Sequence, residues 1–492
     1  MLTAAIFVPL AAALAIALLP ASRERLMRGL ALAAAGFPLL PLAFSWARME
    51  GGEIQLVERF DWIPTLGVGY RVGVDGVSMA LASLTALLFL VSLVFPEDVR
   101  GRPKAYYALF LFLETASLGV FLALDLFLFY VFWDLSLAGM YFVIGGWGHG
   151  DHQRSALKFF LYTLAGSLAM LLAILGLYLA TEPRTFDMIE IVRQQPVAGT
   201  GLRASLIFLG FAIGFAIKAP LVPFHTWLPP AHVDAPAPGS TILAGVLLKM
   251  GTYGFIRILL PMLPEAFRAY ALVLAILGVV SIVYGALVTL AQRNIKRLIA
   301  YSSVTHMGYT MLGIAAAGAL ATGEVQARSL ALTGATVEMV AHGLITGGLF
   351  LIAGTLWRRA GTYDLDALGG LAARAPRATA VTVVLAFASL GLPGLAGFVA
   401  EFQIFVGTFS VYPWLAGIGL LGVIVLAAAF LRMLREAFLG PLSDGLREWT
   451  DLDRAETISL APLVLLTVVI GVAPAWLLDV IDRTARALLG GG

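Results

Sequence analysis

Two lysines stand inside membrane-length apolar segments, where a charged side chain is costly. They are Lys218 and Lys249, near the two ends of the stretch IKAPLVPFHTWLPPAHVDAPAPGSTILAGVLLKMGTYG at positions 217–254. A lysine at the centre of a membrane helix costs on the order of 3 kcal/mol, so it normally faces the protein interior or a water-filled cavity and has a partner. Two such lysines beside a Pro-rich, His-bearing break predict an ion path.

Carboxylates within apolar segments are the first candidate partners. Asp134 lies in FYVFWDLSLAGMYF, and at that depth a functional role is favoured over a purely structural one. Glu114 in LFLETASLG is less deep, and it is either a secondary proton site or a structural carboxylate. Glu401 in GFVAEFQIF follows a second Pro and Gly break and is the counterpart in the other half of the chain. Asp125, between two segments, is expected to be an N-cap.

Two histidines extend the set. His306 in YSSVTHMGY and His342 in EMVAHGLITGG lie in consecutive segments between Lys249 and Glu401. A lone helical histidine is usually a packed, hydrogen-bonded residue, whereas two among other titratable groups favour a proton relay. Glu338 stands four residues before His342, so we expect it to share a helix face with that histidine and to stabilise its protonated form.

Two further histidines flank the break after Lys218. His225 and His232 are predicted to stand at the cytoplasmic mouth of the path. Metal binding is the weaker alternative, because no second histidine or acid lies at helical spacing on the same segment. We therefore expect no metal site.

The elements that must position these residues are membrane helices. With 492 residues, 60% hydrophobic, 13% charged and a mean hydropathy of +0.92, the chain is not a soluble globular protein. Apolar runs near the length of a bilayer-crossing helix predict fourteen spans. They are 2–20, 28–46, 74–95, 105–123, 125–146, 156–180, 204–222, 238–260, 268–291, 298–318, 331–356, 378–409, 414–434 and 457–478.

Two of these spans are interrupted. The seventh breaks at Pro220 and Pro223, and the twelfth at Leu392 to Gly397. Such breaks survive in a membrane only where the freed backbone groups are buried in protein or face a cavity. Broken helices five spans apart predict two inverted five-helix repeats. The predicted divisions are 1–104 with three helices, 105–260 and 261–440 as the repeats, and 441–492 with the last helix.

The basic residues of the loops give an orientation. Loops after odd-numbered spans, here called the odd loops, hold nineteen lysines and arginines, and the remaining loops and C-terminal tail hold eleven; Lys218 and Lys249 complete the 32. The positive-inside rule puts the odd loops in the cytoplasm and both termini outside. The apolar start has no basic n-region, so we expect it to be retained as the first span.

Redox chemistry by this chain itself is not expected. The absence of cysteine excludes disulfides, thiolate catalysis and cysteine-ligated iron–sulfur clusters. No glycine-rich phosphate loop follows a strand, so flavin or nicotinamide binding is not predicted either. Any redox step must be carried by other chains.

Eight segments stand out when they are read together: DGVSMALASLTALL, GVFLALDLFLFYVFWDLSLAGMYFVIGGWG, SALKFFLYTLAGSLAMLLAI, IKAPLVPFHTWLPPAH, LLKMGTYGFIR, QRNIKRLIAYSSVTHMGY, MVAHGLITGGLFLIAGT and LGLPGLAGFVAEF. They closely resemble the antiporter-like subunits of respiratory complex I, and LLKMGTYG favours the subunit-M branch of that family. The resemblance covers spans 3 to 13. It implies a fourteen-helix fold with two inverted repeats in a bacterial inner membrane.

The resemblance also implies an activity and partners. The chain is expected to move protons while other subunits of NADH-quinone oxidoreductase carry FMN and iron–sulfur clusters and use NADH and quinone. Two further antiporter-like subunits and lipids are the implied neighbours, and nucleic acid is not. The implied channel has these members: Asp134 as key carboxylate, Lys218 as its partner, Lys249 at the centre, His306 and His342 along the axis, and Glu401 near the exit.

Three positions depart from the family pattern. Asp134 stands where glutamate is usual, so its ion pair with Lys218 is expected to be looser or water-bridged. Pro230 follows WLP where an acid is usual, and Glu338 replaces a neutral polar residue.

Two other functions compete with proton pumping in a complex I. The first is a large subunit of a sodium/proton antiporter or membrane-bound hydrogenase, whose subunits share these motifs. The second is a structural membrane spacer, for which neutralising Lys249 or Glu401 would be harmless.

Overall fold

Helices form most of the chain in the computed structural model, which describes residues 1–319, 325–443, 446 and 448–490. The helices are α1 Leu2–Leu18, α2 Glu24–Gly36, α3 Leu39–Trp46, α4 Gly76–Val94, α5 Pro103–Leu122, α6 Leu126–Trp147, α7 His152–Tyr178, α8 Met188–Gln194, α9 Leu202–Lys218, α10 Leu228–Asp234, α11 Ala237–Ile242, α12 Leu248–Gly254, α13 Leu260–Met262, α14 Pro264–Ala291, α15 Ile295–Ala319, α16 Val325–Ala360, α17 Pro376–Ser389, α18 Ala396–Phe409, α19 Pro413–Ala437, α20 Arg454–Val472 and α21 Ala475–Leu488. Two strands, β1 Gln55–Ile63 and β2 Val68–Val74, form one antiparallel hairpin.

The predicted class, a helical polytopic membrane protein, is confirmed. Ten helical segments within the described residues are long and apolar enough to cross a bilayer, and α1, α17 and α18 are shorter apolar helices. Each of the fourteen predicted spans overlaps one or more helices. The number of crossings and the division into repeats stay predictions.

Both predicted interruptions are present. In the seventh span, helix α9 ends at Lys218, and the next helix, α10, begins at Leu228. The twelfth span is broken between Ser389, the end of α17, and Ala396, the start of α18. Near the first break the backbone N–H of Val222 donates to Ser281 Oγ at 2.9 Å. Partners from neighbouring helices thus satisfy backbone groups that the break frees, as burial in a membrane demands.

The eighth span is a single buried rod of alternating helix types. Its α-helical parts α11, α12 and α13 are joined by two π-helical turns, Leu243–Leu247 and Phe255–Leu259. A π-turn adds a residue to one helical turn and is frequent at functional sites. Lys249 lies in α12, between the two turns. A side chain at Gly251 would come within 2.5 Å of the Phe215 carbonyl oxygen, so glycine there lets α12 pack closely on α9.

Short polar side chains fix several helix starts. Asp75 and Ser78 form a reciprocal capping box at the start of α4. Asp125 caps α6 by accepting from the N–H groups of Phe127 and Leu128 at 3.0 and 3.2 Å, which confirms its predicted role. Asp125 also accepts from Arg71 Nη1 of β2 at 2.8 Å, so this cap ties the hairpin to the helices.

Several short elements were not predicted, among them the β1–β2 hairpin and α21. The β1–β2 hairpin lies in the polar region between the second and third spans, and α21 follows the last predicted span. The N–H of Gly76 donates to Thr484 Oγ1 of α21 at 2.8 Å, so α21 packs on the start of α4. Both elements are short, and neither has the long apolar run on which the span prediction relied.

Candidate functional site: a buried chain of titratable side chains

Lys218 is the last residue of α9 and is buried at the first break. Its Nζ lies 3.5 Å from Ser136 Oγ and 5.2 Å from the centroid of the Trp133 ring, both on α6. An ammonium group at the C-terminal end of a helix is favoured by the helix dipole, and the aromatic face adds a cation–π contact. Ser136 Oγ and the Trp133 ring thus face the Lys218 side chain, and no carboxylate of the described residues lies within salt-bridge distance of its Nζ.

Asp134 lies on the same helix but does not touch this lysine. Its carboxylate accepts a short hydrogen bond from Ser167 Oγ of α7. Asp134 and Lys218 make no direct ion pair in the part of the chain that the structure describes. The looser pairing expected from the short aspartate side chain is the arrangement seen, since Ser136 rather than Asp134 approaches the ammonium group.

Lys249 is buried and makes two close contacts. Its Nζ donates to the Ala244 carbonyl oxygen at 2.5 Å and lies 2.6 Å from His342 Nδ1 on α16. Ala244 belongs to the first π-turn, so that turn supplies a carbonyl to the lysine. Ser136 Oγ also contacts Sδ of Met250, the residue that follows Lys249 in α12, at 3.6 Å.

Two buried histidines extend the series of contacts from Lys249. The rings of His342 and His306 have centroids 5.1 Å apart. His306 Nδ1 lies 2.8 Å from Glu338 Oε1, and its Nε2 lies 2.9 Å from Ser389 Oγ at the second break. Every ring nitrogen of His306 is thereby engaged.

The prediction that Glu338 acts on His342 was wrong. We expected this carboxylate to pair with His342 on its own helix, but it reaches across to His306 on α15. The two side chains do share a face of α16, as their spacing requires. However, His342 turns its Nδ1 toward Lys249, so the carboxylate pairs with the ring of the neighbouring helix.

Glu401 completes the chain. Ligand-type atoms of His306, Glu338 and Glu401 all lie within 4.8 Å of one another. Glu338 Oε2 and Glu401 Oε1 are buried without a hydrogen-bond partner among the described residues. Glu401 also lines a cavity of about 560 Å³ that continues past Phe409. The three side chains have the spacing of a metal site, but one oxygen of Glu338 is already bonded to His306.

The remaining predicted residues stand apart from these contacts. Glu114 is buried on α5, and neither of its oxygens has a partner within the described ranges. His232 stacks on Phe350 at 4.5 Å, and His225 packs edge-on against Tyr284 at 5.0 Å. The structure does not bring these two histidines together as metal ligands.

Sequence reasoning missed several buried charges, among them Lys296 and Arg257. Lys296 was counted among the odd-loop residues, yet it is fully buried at the start of α15. Arg257 was counted with the loops of the opposite side, yet it lies in the second π-turn and forms a buried ion pair with Asp75. Its position within an apolar run of 26 residues was the signal that could have found it. Lys296 had no such signal, because it directly follows a polar loop.

The fold and this chain of side chains define a polytopic membrane protein with a buried row of titratable groups. The family model for "NADH:quinone oxidoreductase/Mrp antiporter, TM" matches residues 123–427, more than half of the sequence. The chain belongs to this family.

Individual relatives are similar over most of their length. The chain is 38% identical to NADH-quinone oxidoreductase subunit M of Rickettsia prowazekii, over 88% of this chain and 86% of that protein. It is 40% identical to F(420)H(2) dehydrogenase subunit M of Methanosarcina mazei, over 89% and 87%. A chain of respiratory complex I from Thermus thermophilus with bound NADH matches in full, with a TM-score of 0.88 and 31% identity.

Proposed function

We propose that this chain is the proton-translocating subunit M of the membrane arm of an NADH:quinone oxidoreductase. The observation that carries the proposal is the series of contacts from Lys249 through His342, His306 and Glu338 to Glu401. Protons move between side chains that lie within hydrogen-bond reach of each other or of a shared water. Five such groups in one buried series are more than packing requires.

The central step is the proton transfer from Lys249 to His342. At 2.6 Å, Lys249 Nζ and His342 Nδ1 share one hydrogen bond, so one proton lies between the two nitrogens. A neutral His342 accepts it without a rearrangement of either helix. His306 then takes the proton toward Glu338, and Glu401 releases it to the cavity beside Phe409.

Asp134 and Lys218 supply the control. A carboxylate that approaches Lys218 favours its charged form, and withdrawal of that carboxylate favours release of a proton. Because Ser136 lies between Lys218 and Met250, a change at Lys218 reaches the neighbourhood of Lys249 across one hydroxyl group. Quinone reduction elsewhere in the complex would alter the Asp134–Lys218 separation and so drive the relay.

The energy needed is within the range of such a device. One proton moved against about 150 to 200 mV requires about 3.5 to 4.5 kcal/mol. That equals roughly three pKa units of differential interaction. Changes in the pairing of a few buried charges reach this size.

The redox chemistry belongs to other chains. This chain has no cysteine to ligate an iron–sulfur cluster and no glycine-rich phosphate loop after a strand, so FMN, iron–sulfur clusters, NADH and quinone are assigned to partner subunits. Relatives of similar identity are named for two electron donors, NADH and F(420)H(2). Mass spectrometry of the complex extracted from its native membrane identifies the donor-binding chains and tests this part of the proposal.

The proposed setting follows the basic residues of the loops. The odd loops face the cytoplasm of a bacterial cell, both termini face outward, and other antiporter-like subunits and lipids surround the chain. Spans 4 to 8 and 9 to 13 form the two inverted repeats. This division is supported by the matching positions of the two breaks, after Lys218 and after Ser389.

The decisive test is Lys249→Met in the assembled complex. NADH oxidation and dye-reported proton uptake are measured together in inverted membrane vesicles. We expect proton pumping to be slowed about tenfold or more, because a proton carrier is removed. Unchanged proton pumping per NADH would refute the relay, and sodium-dependent transport without NADH oxidation would favour the antiporter instead.

A further inference from the structure

Lys296 combines two features that rarely occur together. It is the second residue of α15 and is fully buried. The N-terminal end of a helix disfavours a cation, and burial disfavours any charge without a close partner. A lysine that serves only solubility would point outward from this position.

The C-terminal end of the neighbouring helix α10 stabilises the ammonium form of Lys296, against the effect of the start of α15. Its Nζ donates to the Ala235 carbonyl oxygen, at the end of α10, at 2.6 Å. It also lies 5.0 Å from the centroid of the Tyr363 ring. The N-terminal end of α15 thus favours the neutral amine of Lys296, and the C-terminal end of α10 favours its ammonium form. Such a balanced site suits a group that gains and loses a proton.

A cavity reaches the surroundings of this lysine from the odd-loop side. Its volume is about 420 Å³, and its lining includes Asp234, Tyr363 and His149. Asp234 directly precedes Ala235, the residue that holds the ammonium group, and it accepts from Ser155 Oγ at 2.5 Å. Its charge acts on Lys296, as does that of Glu97 in the loop after α4. Two carboxylates therefore lie near the lysine, and one of them, Asp234, lines the cavity.

The other side of Lys296 faces the buried chain. Lys296 and Lys249 are the charged groups near the His232 ring. His232 in turn is one of the groups near His342, together with Lys249 and His306. Both ring nitrogens of His232 are buried and lack a partner among the residues that the structure describes. They are free to accept and pass on a proton.

We propose that Lys296 is a proton-carrying residue that takes protons from the cavity lined by Asp234 and Tyr363 and passes them, over His232, to Lys249. This inference rests on the proposed function and adds its uptake step. Lys296 gives one proton to His232, a protonated carboxyl group near Lys296 returns one proton to the lysine, and water in the cavity reprotonates the resulting carboxylate. No other reactant is needed.

Glu97 has the properties of that carboxylate. Burial raises the pKa of Glu97 to about 7, although Lys296 and Arg358 act in the opposite direction. It therefore exchanges protons readily near neutral pH. His149, which also lines the cavity, has a pKa lowered to about 4 by burial and by the nearby Lys296 and Arg100, so it is neutral there.

The alternative is that Lys296 only caps the carbonyl group of Ala235. Lys296→Arg separates the two roles, because arginine keeps the charge and the donors but does not release its proton. We expect Lys296→Met and Lys296→Arg both to slow proton pumping about tenfold or more in the assembled complex. Wild-type pumping with arginine would overturn the proposal.

Lys158→Met is the matched control. Lys158 is exposed and donates to the Thr226 carbonyl oxygen at 2.7 Å, so it caps a carbonyl without access to the buried chain. We expect this variant to pump at the wild-type rate. Lys249→Met distinguishes failure of the uptake step from failure of the proposed function. If it abolishes pumping while Lys296→Arg pumps normally, only the uptake step fails; if it pumps normally, the proposed function fails as well.

Glu97→Gln tests the same uptake route if the Lys296 variants do not assemble. This loop residue is changed without altering the buried lysine. We expect slower proton uptake, with the largest loss below pH 7, where the wild-type carboxyl is protonated and able to donate. Wild-type pumping from pH 6 to 8 would overturn the route through this carboxylate and Lys296.

Discussion

Lys249 Nζ and His342 Nδ1 lie 2.6 Å apart in the buried interior, although 93 residues separate them in the chain. The contact joins α12, the helix between the two π-turns, to the middle of α16. One neutral and one charged nitrogen at this distance form a strong, charge-assisted hydrogen bond. This pair is the point at which the two halves of the predicted relay meet.

The Lys249–His342 contact predicts non-additive effects. Lys249→Met and His342→Phe should each slow proton pumping about tenfold or more, and the double variant should be little worse than either. The two groups act in series, so removal of one already stops the transfer. The check is dye-reported proton uptake normalised to NADH oxidation. Losses that multiply in the double variant would contradict a single shared step.

The Glu338–His306 pair predicts a loss of both stability and pumping. Glu338→Gln leaves His306 Nδ1 with a neutral partner, and we expect a cost of about 1–3 kcal/mol in the stability of the assembled chain. Pumping should fall as well, because the amide cannot take up a proton. Thermal denaturation and vesicle assays measure the two effects. Glu190→Gln, which changes a partly exposed carboxylate paired with Arg193, is the control, and equal behaviour of the two variants would argue against a relay through Glu338.

The separation of Asp134 from Lys218 predicts that a longer acid is tolerated. Asp134→Glu should pump at least as fast as the wild type, because the added methylene brings the carboxylate closer to the ammonium group. Asp134→Asn removes the charge and should slow pumping about tenfold. The same NADH-normalised assay applies. A fully active asparagine variant would show that the carboxylate is only a partner of Ser167.

The buried Asp75–Arg257 pair predicts a structural effect without a direct effect on transport. Arg257→Met leaves Asp75 charged and buried, at a cost of about 3–5 kcal/mol. The combined change Asp75→Asn with Arg257→Met should recover much of this loss. Thermal denaturation measures the recovery. If the double variant is no more stable than Arg257→Met alone, the buried charge is not the cause.

The raised pKa of Glu97 predicts a pH dependence of stability. Its ordinary value of 4.5 rises to about 7 in the fold, so the folded state binds the proton more tightly than the unfolded state. The contribution is fully present below pH 4.5 and is lost as the pH rises to about 7. Nearby Lys296 and Arg358 limit the shift, and Asp98 increases it. Glu97→Gln should flatten the stability curve between these limits, and an unchanged curve would contradict the prediction.

Much of the architecture could be predicted from local patterns. Apolar length gave the helices, and Pro220 and Pro223 gave the first break, because proline removes a backbone donor wherever it stands. Asp125 was predicted as a cap for the same local reason. The hairpin and α21 could not be found in this way, since they are stabilised by distant partners, such as Asp125 for Arg71 and Gly76 for Thr484.

The sequence by itself determined which titratable groups lie within apolar, membrane-length segments, since side-chain chemistry and hydrophobic context are local properties. Lys218, Lys249, His306, His342 and Glu401 were identified on that basis alone. Only the tertiary structure decided how they pair. Glu338 bonds to His306 rather than His342, and Lys296 is buried against the end of α10, because helix packing sets the direction in which each side chain points. Periodicity places a residue on a face, but the neighbouring helix selects its partner.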